Sequence, residues 1–201
     1  MKDISPLDRI LLLITGILAG YQVVAGISGK PTMVLVAYTV AFGVLLVAGL
    51  LMIIMGFSVL DAPLVVVISS LIPLGMSLGL VGEYLPPLRE VYLAFTILGL
   101  GSILYTRYTS SRITKVLVLA IVHGISGLLI FLLPLILSLR GITPARFALV
   151  GLGGGLIGIG GLLLSFQRAG KPVLPRDTIL SLLPGLLLLM TALFVIGFSG
   201  G

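Results

Sequence analysis

Residues 151–165 read GLGGGLIGIGGLLLS. Gly151, Gly154, Gly158, Gly161 and Ser165 recur at steps of three, four, three and four, so on an α-helix they form one seam. The flanks, Phe147 to Val150 and Leu162 to Leu164, are apolar. In water such a helix is poor, since each Gly costs about 1 kcal/mol against Ala. In hydrocarbon it persists, because backbone groups that leave the helix lose their hydrogen bonds. A seam of small residues then lets a neighbouring helix approach backbone to backbone. The stretch predicts the central helix of a membrane bundle.

Composition agrees. Of 201 residues, 59% are hydrophobic and 9% charged. Soluble domains sit near about 45–50% and about 25%, so an ordinary soluble fold is excluded. No polar stretch is long enough for a second unit, which predicts one integral membrane domain over 1–201. The chain has no Cys, Trp or Asn. Disulfides, thiolate metal sites, Cys nucleophiles and N-glycosylation are thereby excluded. Lack of Asn and Cys also fits a thermophilic source. The net charge of +6 is spread over short connections, so it reports membrane orientation rather than nucleic-acid binding.

Seven apolar runs, at about 10–27, 32–57, 64–81, 91–105, 116–139, 144–166 and 178–198, are each close to the roughly 20 residues that cross a bilayer. The first has no small-x-small cleavage site followed by a polar mature domain, and reads as a span rather than a signal peptide. Asp61-Ala62-Pro63 and Thr143-Pro144 read as helix starts, with Asp61 and Thr143 as caps, and Asp177 reads as the cap of the last span. Seven spans put the termini on opposite faces. The N-terminal face collects Lys2, Arg9, Arg107, Arg112, Lys115, Arg168, Lys171 and Arg176; the other collects Lys30, Arg89, Arg140 and Arg146. That asymmetry predicts a cell-membrane protein with a cytoplasmic N-terminus and an external C-terminus.

Spans two to four and five to seven share three anchor points. TMVLV at 32–36 resembles TKVLV at 114–118, Asp61-Ala62-Pro63 matches Ile142-Thr143-Pro144, and Arg89-Glu90-Val91 matches Arg176-Asp177-Thr178. Three is an odd number of spans, so this predicts a 1+3+3 bundle with an inverted repeat, an arrangement frequent in secondary transporters.

Few residues carry chemistry. Gly153-x-Gly155-x-x-Gly158 has dinucleotide-fingerprint spacing, but it lies inside a continuous apolar span rather than after a strand. His123 is the only histidine and falls in the fifth span, where an ionisable group is a functional candidate by default. Ser126 lies one helical turn beyond it. Glu83 closes the third span. His123, Ser126 and Glu83 together form the candidate intramembrane polar site. Gly124-x-Ser126-Gly127 resembles the GxSG motif of rhomboid intramembrane proteases over four residues. That resemblance implies a catalytic histidine on the later glycine-rich helix, and the chain has none there. One His and no Cys leave no ligand set for a metal, and no cofactor is expected.

Two functions stay open. A small carrier or channel for a small solute or ion fits the repeat, the prolines inside spans and the glycine packing. A non-catalytic membrane subunit of a larger respiratory or secretion complex needs no polar site. Its partner-facing seam would be Gly151–Ser165, or Gly75, Gly79 and Gly82. The expected partners are the bilayer, a further copy of the chain or complex subunits, and no nucleic acid.

Overall fold

A computed structural model describes residues 3–27, 29–168 and 173–199, without the side chains at 162 and 164–168. The described residues form α1 (Pro6–Ala25), α2 (Thr32–Met55), α3 (Pro63–Ser69), α4 (Leu71–Tyr84), α5 (Arg89–Thr109), α6 (Arg112–Leu139), α7 (Ala148–Arg168) and α8 (Arg176–Phe198). With α3 and α4 counted as one broken rod, these are seven helices. Six of them are long and apolar enough to cross a bilayer.

Several helices run further than the apolar runs predict. α1 starts at Pro6 rather than Ile10, because Ser5 and Asp8 form a capping box: the Asp8 N–H donates to Ser5 Oγ at 3.1 Å and the Ser5 N–H to Asp8 Oδ2 at 2.9 Å. α6 starts at Arg112, where the Ser111 hydroxyl accepts from the Thr114 N–H. Hydropathy loses a helix where its residues turn polar, but the hydrogen-bond ladder continues past that point. Positive φ at Gly26 and Gly56 ends α1 and α2.

The expected caps are corrected. Ala62, not Asp61, is the N-cap of α3, and Asp61 belongs to a 3-10 turn at Phe57–Asp61. Pro144 and Pro175, rather than Thr143 and Asp177, precede the next two helical segments. A 3-10 turn at Ala145–Phe147 delays α7 to Ala148. In each case proline's fixed φ sets the start without a side-chain cap.

Six helices close a ring in the order α1, α2, α4, α6, α7, α8 and back to α1. α5 lies outside it, against α4 and α6. The ring centre is filled. Phe42 meets Phe194 and Phe198 edge-on, and Phe198 also contacts Tyr38 and Phe147. Leu12, Met76, Leu80, Ile130 and Met190 complete this core.

Glycines set the interfaces. A Cβ at Gly75 would sit 2.7 Å from the Ala37 carbonyl oxygen, and one at Gly79 would enter the Tyr38 ring. The Gly75–Gly79–Gly82 seam is therefore consumed inside the chain, against α2, and is no partner-facing surface. A Cβ at Gly151 would stand 2.6 Å from the Phe131 carbonyl oxygen, and one at Gly153 2.9 Å from Phe194. α7 thus lies backbone-close to α6 and tight against α8.

The proposed repeat halves share the pairings α2·α4 and α6·α7. They also share α4·α5 and α7·α8, and differ in that α4 reaches across to α6 of the other half.

Gly151→Ala is expected to lower the thermal midpoint in detergent, since overpacking of this kind costs about 1–3 kcal/mol. Gly101→Ala, where an added Cβ meets nothing within 4 Å, should leave it unchanged. Equal effects at both positions would contradict the close α6–α7 approach.

Candidate functional site

The rod of α3 and α4 breaks at Ser70. Pro73, two residues into α4, has no N–H for the Ser69 carbonyl, and its ring crowds that group. Ser70 takes over locally: its hydroxyl donates to the Val66 carbonyl at 2.7 Å, and its own carbonyl accepts from the Leu74 N–H at 3.2 Å. The break has a spatial consequence. α4 packs on α2, α5 and α6, whereas α3 packs mainly on α5.

A second departure lies across the gap. From Gly151 to Gly155, α7 runs against Ile130 and Phe131 of α6. At Gly158 and Gly161, and at Gly124 and Gly127 on α6, an added Cβ would meet nothing within 4 Å. The predicted seam therefore divides. Gly151 and Gly154 serve the contact, and Gly158 and Gly161 line open space; the side chain of Ser165 lies outside the described residues.

The space left between α3, α6, α7 and the start of α8 is a cavity of about 670 Å³. This falls within the ordinary 300–1,000 Å³ range of small-molecule sites. Its walls are mainly Leu, Val, Phe and Gly. The polar lining groups are Asp61, Ser69, His123 and Arg176. His123 is half-buried on α6, and its Nδ1 lies 3.1 Å from the Leu119 carbonyl oxygen. A carbonyl only accepts, so the neutral ring carries its proton on Nδ1 there. Ser69 donates to the Val66 carbonyl. At the mouth, the Arg176 Nη2 donates to Asp61 Oδ2 at 2.6 Å. This ion pair joins the start of α8 to the turn before α3 across 115 residues. Both side chains are well exposed, so it adds little stability by itself.

The three residues expected to form one polar site stand in three places. Only His123 lines the cavity. Ser126 is fully buried in a hydroxyl cluster linking α4, α5 and α6. There Tyr92 donates to Ser77 Oγ at 2.8 Å, Ser77 donates to the Pro73 carbonyl at 2.6 Å, and Ser126 lies 3.3 Å from the Tyr92 oxygen. The chain of donors is satisfied, which makes the cluster a clamp holding α5 on the ring. The Ser126 hydroxyl thus engages a tyrosine, not a base of the kind the GxSG motif implies.

Glu83 stands at the opposite end of the bundle. Its Oε1 is 2.8 Å from Lys30 Nζ, and its Oε2 accepts from the Tyr38 hydroxyl at 3.4 Å. Lys30 and Glu83 retain only 19% and 12% of their side-chain exposure, so this pair seals the end of the α2–α4 interface. Sequence reasoning missed Asp61 and Arg176 as partners. It assigned Asp61 a local cap, and nothing in a one-dimensional pattern links positions 115 apart. Among the described residues, no group of three or more His, Asp or Glu is placed to hold a metal ion.

No family model matches the chain, and no curated protein or solved structure is significantly similar to it.

Pro73→Ala restores the missing N–H and is expected to bring α3 into line with α4, toward α6. The Cys-free chain accepts spin labels cleanly at Val65→Cys and Ala120→Cys. Their distance should shorten in the Pro73→Ala background; an unchanged distance would show that Pro73 does not direct α3.

Proposed function

We propose that this membrane protein is a small carrier, with its substrate site in the cavity between α3, α6, α7 and α8. The cavity carries the reading. It has the size of a small-molecule site, apolar walls and a few convergent polar groups, the usual make-up of a binding pocket. The lone histidine lines it. The aromatic plug of Phe42, Phe194 and Phe198 occupies the ring centre, which favours a carrier over an open channel. The balance of charges in the lining favours a neutral or zwitterionic substrate of mainly apolar character.

In this reading all seven helices span the membrane. The cavity mouth, Asp61 with Arg176, shares a face with the N-terminus, and Glu83 with Lys30 lies on the other. The excess of Lys and Arg on the N-terminal face supports a cytoplasmic position for that face and the mouth.

Filling the cavity tests the carrier. Gly158→Phe adds a ring to open space, so the chain should fold with an unchanged thermal midpoint. Small amphipathic compounds that raise the midpoint of the parent chain, and their protein-dependent flux in liposomes, should both be lost. His123→Ala should weaken binding by about tenfold, the worth of one hydrogen bond. Ligands that stabilise the parent and Gly158→Phe equally would remove the cavity as the site.

Orientation has its own test. A membrane-impermeant maleimide should label Ile142→Cys on intact cells, and Ser110→Cys only after permeabilisation. The reverse pattern would place the N-terminus outside.

A further inference from the structure

The cavity is open sideways as well as at its mouth. Ala120, Gly124 and Leu128 on α6 and Gly158 and Ile159 on α7 line it and are themselves exposed. Leu128 and Ile159 each retain 59% exposure. In a bilayer that surface meets lipid chains. The two glycines leave the edge between the helices without side chains, so the gap is a slot rather than a wall.

The slot is long enough for one acyl chain. Its α6 lining runs from Leu119 to Phe131, about 18 Å at 1.5 Å per residue. The hydrocarbon core is about 30 Å thick, so one leaflet takes roughly half of that. The apolar end, at Phe131 and Gly154, lies just past the midpoints of α6 and α7, on the side away from the mouth. The charged end, at Asp61 and Arg176, lies where α8 begins and lipid headgroups sit. Polarity along the cavity therefore follows the polarity of a lipid.

Charge at the mouth selects among headgroups. A purely anionic head meets Asp61 as well as Arg176, and a purely cationic head meets the reverse conflict. A head carrying both charges sets phosphate on the guanidinium and ammonium on the carboxylate. Arg176 has donors beyond the one given to Asp61, and the guanidinium fork suits phosphate oxygens.

We infer that the ligand of this cavity is a zwitterionic phospholipid drawn from the surrounding leaflet, with one acyl chain in the slot between α6 and α7 and its head across Asp61 and Arg176. The inference deepens the carrier reading and rests on the same cavity. The transported species is then a membrane amphiphile, not a water-borne solute.

The chain has no Trp, so one introduced indole reports without background. Ile159→Trp places it at the slot, and Ile97→Trp, on the exposed face of α5, reports bulk lipid. Each variant is reconstituted in phosphatidylcholine vesicles carrying chain-brominated phosphatidylethanolamine or phosphatidylglycerol. At the slot, the ethanolamine lipid should quench at about a tenth of the mole fraction that the glycerol lipid needs, the effect of one charge-assisted hydrogen bond. At Ile97→Trp the two should quench alike, which also reports that the chain is inserted. Asp61→Asn should abolish the preference at the slot.

Equal quenching by both lipids at Ile159→Trp, or a preference for phosphatidylglycerol, overturns the inference. So does a preference that survives Asp61→Asn. The two readings fail separately. If Gly158→Phe blocks flux of a small solute while the slot shows no lipid preference, the carrier stands without the lipid. If the preference is present but no flux is found, the lipid site stands and the carrier falls.

Discussion

Inside hydrocarbon nothing apolar drives one helix onto another, because lipid tails are as apolar as leucine; association depends on how closely the backbones fit. In this chain that fit is made by glycine. Gly75 and Gly79 set α4 on α2, Gly151 and Gly154 set α7 on α6, and Gly153 and Gly197 set α7 against α8. These are three of the six contacts of the ring, and the aromatic core of Tyr38, Phe42, Phe194 and Phe198 fills its centre. The cavity exists where the same device runs out of partners. Beyond Gly155 the glycines of α7 continue, but α6 no longer lies against them.

Proline supplies the second half of the architecture. Pro73, Pro134 and Pro184 have no N–H for the carbonyls of Ser69, Ile130 and Leu180. Ser69 and Leu180 line the cavity, and Ile130 packs on Gly154 near its inner end. The three interruptions of the helical ladder therefore gather around one space. In a bilayer such interruptions persist where they are buried in protein or line a cavity.

Much of this order was legible in the sequence. Apolar runs located the helices, proline marked the start of α3, and the glycine periodicity identified α7 as a close-packing helix. Three things were not legible. A period of three and four residues says which glycines share a face, not what that face meets, so the division of the seam at Gly155 was invisible. His123, Ser126 and Glu83 were grouped because polar residues are rare in the spans. Rarity carries no distance, and the three belong to a cavity wall, a hydroxyl clamp and an end seal. Asp61 beside Pro63 looks like a local cap because capping is a short-range rule. Its actual partner, Arg176, is set by ring closure, which brings the start of α8 beside the turn before α3.

The way α6 and α7 touch has a mechanical corollary. Their close contact lies toward one end of α7, where Ile130, Phe131 and Leu135 of α6 seat on glycines, so the α7 side of the contact is smooth and can turn as a pivot. From Gly154 to Arg168 α7 runs on for roughly 20 Å, held on its α8 side and open toward α6, and a tilt of about 10° would sweep its end through roughly 4 Å. A small rotation at the glycine fulcrum is thus amplified at the far end of the slot, on the face where Asp61 and Arg176 tie the neighbouring elements together. The helix pair is built as a pair of tweezers, with the ion pair beside the tips.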